Sequence, residues 1–149
     1  MEFVKYFKVT NEKELHHGYQ YKDGLNVLNE KFNDDPNDTC CAGGFYFTTK
    51  EHIHKFLNYG IYIREISLPT DDQEFKMVKD PEGDKWRANK IILGKRHNVY
   101  DIDTIINFEL YNNDNIIDLA SKNGYVNVLK WFKHSGFEFK YSTNAIELA

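Results

Sequence analysis

Hydrophobic and polar positions alternate over much of the first two thirds of the chain. From Phe3 to Thr10, β-branched and aromatic residues are interleaved with Lys, which predicts a first strand. Asn11 to Leu15 is polar and reads as a loop or a short helical turn. Gly18 to Leu28 reads as two short strands around Asp23-Gly24, a dipeptide that tolerates positive φ. The acidic, Asn-rich stretch from Asn33 to Asp38, with Pro36 inside it, is expected to be a surface loop.

A compact unit follows. Gly43-Gly44 precede the aromatic strand Phe45-Tyr46-Phe47. Thr48 and Glu51 have the spacing of a capping box. Ile53, Phe56 and Leu57 then give one apolar helix face, and Gly60 is expected to end that helix in the left-handed conformation. Ile61 to Leu68 resumes as a strand. Asp80-Pro81-Glu82-Gly83-Asp84 predicts a turn between Phe75–Val78 and Lys90–Leu93. Asp101 or Asp103 can cap a short helix carrying Ile102, Ile105, Ile106 and Phe108.

Beyond residue 110 the period changes to a helical one. The pattern Asn115-Ile116-Ile117-Asp118-Leu119-Ala120 is restated as Asn144-Ala145-Ile146-Glu147-Leu148-Ala149, an offset of 29 residues. A recurrence at fixed spacing marks a repeat.

Composition narrows the class. The chain has 149 residues, 41% hydrophobic and 15% aromatic, enough to bury a core and against disorder over most of its length. A net charge of -4 gives no global attraction to nucleic acid. The two cysteines, Cys40 and Cys41, are adjacent, so they offer no disulfide framework and favour a reducing, cytoplasmic setting. No secretory leader or membrane-length apolar run is expected. The Asn, Lys and Ile bias is the imprint of an AT-rich genome.

The stretch 115–140 resembles an ankyrin repeat. Laid without gaps on the family pattern, Leu119, Ala120, Gly124, Val128, Leu129, Trp131, Phe132 and Gly136 fall at matching places. Asn115, Ile116 and Asp118 stand where the family has Thr, Pro and His, and 29 is shorter than its usual period of about 33. With the residue bias, the whole looks like the ankyrin proteins of giant DNA viruses of the mimivirus type. The stretches Gly18–Asn26, Ala42–Thr49 and Trp86–Gly94 resemble the aromatic N-terminal domain of those proteins.

The resemblance implies an α+β chain: a strand-rich N-terminal domain (1–110) with one or two short helices, then a C-terminal ankyrin-type helical hairpin (111–149) of one full unit and the start of a second. It implies a non-enzymatic protein–protein interaction module that engages a host or viral protein. By that analogy the contact residues are Asn113, Ser121, Lys122, Tyr141 and Ser142.

Cys40, Cys41, His16, His17, His52 and His54 lack the convergent spacing of a zinc site, so no metal is expected. Asp80, Glu82 and Asp84 alternate as calcium ligands do, but Pro81 and Ile91 break the loop pattern. Lys85, Arg87, Lys90, Lys95, Arg96 and His97 read as a solvated strand edge rather than a nucleic-acid patch. One catalytic alternative remains. His17 and Tyr46 are similar to the nicotinamide-binding pair of ADP-ribosyltransferases, with Glu65 as the nearest strand acid. Glu65 follows Tyr46 too closely for that role, and Lys85 to Tyr100 contains no Glu. No cofactor, nucleic acid or membrane partner is therefore expected, and no catalytic residue is assigned.

Overall fold

A computed structural model describes residues 4–39 and 41–136. Among them lie the strands β1 (Tyr6–Thr10), β2 (Leu15–His16), β3 (Tyr19–Gln20), β4 (Gly24–Val27), β5 (Phe45–Thr49), β6 (Tyr62–Ser67), β7 (Met77–Lys79), β8 (Trp86–Ala88) and β9 (Lys90–Asn98). The helices are α1 (Ile102–Asn107), α2 (Ile116–Lys122) and α3 (Val126–His134). Seven strands form one antiparallel sheet in the order β4-β9-β6-β1-β5-β8-β7, and β2 and β3 make a separate hairpin.

Period-two alternation sorts the side chains onto two faces. Phe7, Val9 and Ile63 point to one face, where they pack with Ile53, Leu57, Ile105, Phe108, Leu110, Ile116, Ala120, Val128 and Phe132. Phe45, Phe47, Ile66, Ala88, Ile91 and Leu93 gather with Tyr21 in a second cluster. Tyr19 and Tyr21, beside the β2–β3 hairpin, tilt onto Phe45 at 4.9 and 5.5 Å between ring centres.

This arrangement overturns the expected ankyrin-type hairpin at the C-terminal end. The fold is a seven-stranded antiparallel sheet closed by a few short helices, so only the mixed α+β character of the expectation holds. Helices α2 and α3, with 7 and 9 residues, are shorter than the ~12–15 residues an isolated helix needs in water. Their apolar stripes are spent on the sheet: Ile116, Ala120, Val128, Leu129 and Phe132 belong to the same cluster as Phe7 and Ile63. Tyr100, just past β9, stacks on Tyr125 at 4.3 Å and 14°, fastening the helices to the sheet's end. The second copy of the pattern, 144–149, lies outside the described residues.

Three local expectations also change. The tight turn sits at His17-Gly18, both at positive φ, whereas Gly24 opens β4, which pairs with distant β9. The capping box does not form, because Thr48 is in β5 and its hydroxyl donates to the Asp84 carbonyl. The segment Ile53–Tyr59 is a 3-10 helix broken at Phe56 (φ -112°, ψ 16°), and Gly60 is extended, with φ 166°.

The flap carrying β2 and β3 is held by charge. Arg64, buried in β6, meets Glu14 at 3.4 Å and donates to Asp23. His16 accepts the Asn11 N–H at Nε2, 3.1 Å away, a bond that only the neutral ring can accept. Burial, then Lys8 and His17, lower the His16 pKa to about 4. Between that value and the ordinary one near 6.5, the unfolded chain binds the extra proton. Folding stability should therefore rise as pH goes from about 4 to about 6.5. Urea titrations across that window should show His16→Gln flattening the slope. An unchanged slope would place the titrating group elsewhere.

Candidate functional site

The candidate site is a groove of about 500 Å³ at the junction of the sheet and α1. Lys5 and Phe7 come from the start of β1, Thr49 to Glu51 from the end of β5, Glu65 from β6, His97 from β9, and Asn107 and Phe108 from the end of α1. Five separated segments converge because β1 lies between β5 and β6, which in turn pairs with β9.

Phe108, 3% exposed, is the floor. Phe7 and His97 meet it edge-on, with ring centres at 5.1 and 5.3 Å. The Lys50 ammonium lies 5.4 Å from its centre, within cation–π reach, and donates to Asn107 Oδ1 at 3.2 Å. His97 Nε2 is 3.1 Å from Glu65 Oε2. The β6–β9 register shifts between Arg64 and Ile66, where β9 advances three residues, from Arg96 to Leu93, against two in β6, a bulge in β9 beside this pair. The groove thus carries two ammonium groups, the Glu51 carboxylate and a His–Glu pair above a nearly covered aromatic ring.

The residues singled out from sequence are dispersed. His17 is exposed at the hairpin tip on the flap, on the side of the sheet that carries Phe45 and Phe47. Tyr46, between those two, faces the other way by strand alternation. Its hydroxyl accepts the Cys41 N–H at 2.8 Å and donates to the Cys41 carbonyl at 3.0 Å. Burial, then the bond to Cys41, push its pKa up to about 12. Glu65 is engaged by His97 in the groove. The three do not share a pocket, so the nicotinamide-site geometry is not assembled.

Of the expected contact residues, Lys122 alone stands on open surface among those described. Ser121 is buried. Asn113 donates to the His54 carbonyl at 2.6 Å and accepts the Asn115 N–H at 2.7 Å, so its amide is used in packing. Tyr141 and Ser142 lie outside the described residues. No cluster of three or more metal-ligating side chains occurs among the described residues. None of their helices is long and apolar enough to cross a membrane.

The supposed basic strand edge is partly interior. Arg87 is fully buried and donates through Nε to the Asn33 carbonyl at 2.8 Å and through its terminal nitrogens to the carbonyls of Asp38 and Asp35. Lys85, also buried, holds Glu82 at 2.8 Å. Strand β8 is thus a scaffold for the loop 33–39. Lys5, Lys50, Asn107 and Phe108 do not read as a group in the sequence. Their only signal is the pairing of β1 with β5, which no local window contains.

Fold and site together define an α+β protein: an antiparallel sheet with a charged, aromatic-floored groove where it meets its helices. No family model matches the chain, and no solved structure matches it. It is similar to proteins of Acanthamoeba polyphaga mimivirus. An uncharacterized protein of that virus is 42% identical over 87% of this chain and 97% of its own length. A second, named provisionally as an ankyrin repeat protein, is 46% identical over 84% of this chain and 64% of its own length. A third with the same kind of name is 37% identical over 93% of this chain and 43% of its own. The chain belongs to this family of mimivirus proteins, and it spans well under the full length of some members.

Proposed function

We propose that the chain is a protein-interaction module of a mimivirus, engaging a viral or host protein without chemistry of its own. The observation that carries this reading is the similarity to mimivirus relatives that are provisionally named ankyrin repeat proteins. Ankyrin arrays are binding scaffolds, and the strand-rich part of this chain is read as the domain that longer relatives carry beside their repeats. The groove between sheet and α1 supports the reading as a concave surface lined by charged side chains of both signs from five separate segments. Of the contact residues that the ankyrin analogy suggests, Lys122 remains a candidate on the helical side. We place the interaction in the host cytoplasm.

The test is crosslinking of a tagged chain inside infected host cells, followed by reconstitution with each purified candidate partner. A stable stoichiometric complex that persists after His17→Ala and Tyr46→Phe is expected. Failure of every reconstitution, or a partner lost with either change, would contradict the reading.

A further inference from the structure

Three cations stand in a row across one face of the sheet. Lys8 on β1 pairs with Arg64 on β6, and Arg64 pairs with Arg96 on β9. Like charges directly opposite one another destabilise strand pairing. Two carboxylates offset them, and both come from the flap. Glu14 lies 3.4 Å from Arg64 Nε and 3.5 Å from Arg96, and Asp23 accepts from Arg64. The closed arrangement carries its own costs. Glu14 and His17 hold positive φ, 52° and 51°, which L side chains rarely adopt. Arg64 Nε is buried without a hydrogen bond.

The backbone does not fasten the flap to the sheet. Among the described residues, β2 and β3 pair only with each other, and the other backbone bonds of residues 11–22 run from Glu14 to Asn11 and from Tyr21 to Glu14. Side chains alone tie it down. Besides the charge pairs, Thr10 donates to Glu14 at 2.8 Å, Asn26 holds the backbone of Lys22, and the rings of Tyr19 and Tyr21 lie on Phe45.

We infer that residues 11–23 form a lid latched by charge, Glu14 and Asp23 holding it on the row Lys8, Arg64 and Arg96, and that it opens as one unit while the seven-stranded sheet stays folded. Opening lifts Tyr19 and Tyr21 from Phe45. It also uncovers Lys8, whose ammonium donates to the Tyr46 carbonyl at 2.7 Å and lies 5.1 Å from the Tyr21 ring centre. The left-handed Glu14 relaxes, and water reaches Arg64 Nε. Segments that open locally in this way do so at lower free energy than the whole fold.

The test is hydrogen exchange, read by mass spectrometry, on the full chain at neutral pH. Relative to their intrinsic rates, flap amides should exchange together and at least about tenfold faster than those of β6 and β9. Raising sodium chloride from about 0.05 to about 0.5 M should speed the flap severalfold and leave β6 and β9 unchanged. In Glu14→Gln with Asp23→Asn the flap should already exchange fast, with salt adding little. Lys13→Gln, on the flap but outside the latch, should change nothing. Flap protection equal to that of the sheet, or wild-type flap exchange indifferent to salt, overturns the inference. So does a flap that stays protected in the double variant. If that variant does not fold, the wild-type salt series decides alone.

Discussion

Arg87→Met is expected to lower the free energy of unfolding by about 3–5 kcal/mol, the range for losing one member of a buried, hydrogen-bonded charge site. The guanidinium is fully buried and answers three backbone carbonyls of the loop 33–39, with the Asp80 carboxylate 3.9 Å away. Met keeps the aliphatic stem that packs on Gly44, whose missing Cβ would lie 3.0 Å from Arg87. The loss is thus chiefly that of the guanidinium's hydrogen bonds, with the space it leaves adding to the cost. Lys should rescue only partly, because a single ammonium cannot reproduce the planar fork. Urea denaturation gives the stability, and cleavage by a Glu/Asp-specific protease reports release of the loop. A loss below about 1 kcal/mol would mean that water replaces the guanidinium, and the loop is then not built on it.

Gly60→Ala is expected to cost at least about 3 kcal/mol, at the upper end of overpacking effects. Its added Cβ would fall 2.0 Å from the Thr10 carbonyl oxygen and 2.5 Å from the Asn11 nitrogen. Those are backbone atoms at the end of β1, where Ile61 N–H bonds the same Thr10 carbonyl at 3.0 Å. A flexible side chain could swing away, but this strand end cannot. The extended backbone of Gly60 would itself accept Ala, so the penalty measures close approach alone. If the variant does not fold, Asn11→Gly in the same chain would not rescue it, whereas a longer 59–61 connection should. A neutral result in urea denaturation would contradict the proximity of β1 to this turn.

These two positions also show what the sequence concealed. Strands β1, β5, β6 and the start of β9 were legible because aromatic and β-branched residues alternate there with polar ones. Gly60 was legible as a punctuation mark, yet its reason was a contact with Thr10, fifty positions earlier. Arg87 sits in a run that reads as an exposed edge, and the loop 33–39 folded back on it makes it interior. Asp23-Gly24 looked like a hairpin turn by local chemistry, but the partner of β4 is β9, so tertiary pairing decided the register.

The helical end failed for a related reason. The spacing of Leu119, Ala120, Val128 and Phe132 does predict two helices with apolar stripes, and α2 and α3 exist. Periodicity cannot say what the stripes face. Here they close the sheet's core beside Phe7 and Ile63. The groove is invisible for the same cause: Glu65 stands out in the sequence as a strand acid, but its neighbours Lys5, Lys50, His97 and Phe108 become adjacent only through sheet order.

The claim that α2 and α3 are part of the sheet's own core can be tested with the chain's two tryptophans. Trp86 lies on β8 against Phe47's cluster, and Trp131 on α3 packs against the cluster that includes Phe7. Trp131→Phe leaves a reporter in the sheet, and Trp86→Phe leaves one in the helices. Urea unfolding followed by fluorescence of each variant, corrected for its stability by circular dichroism, should give coincident transitions, as a single cooperative unit requires. A Trp131 signal lost at clearly lower urea than the Trp86 signal would show a separately folding helical segment and contradict the account.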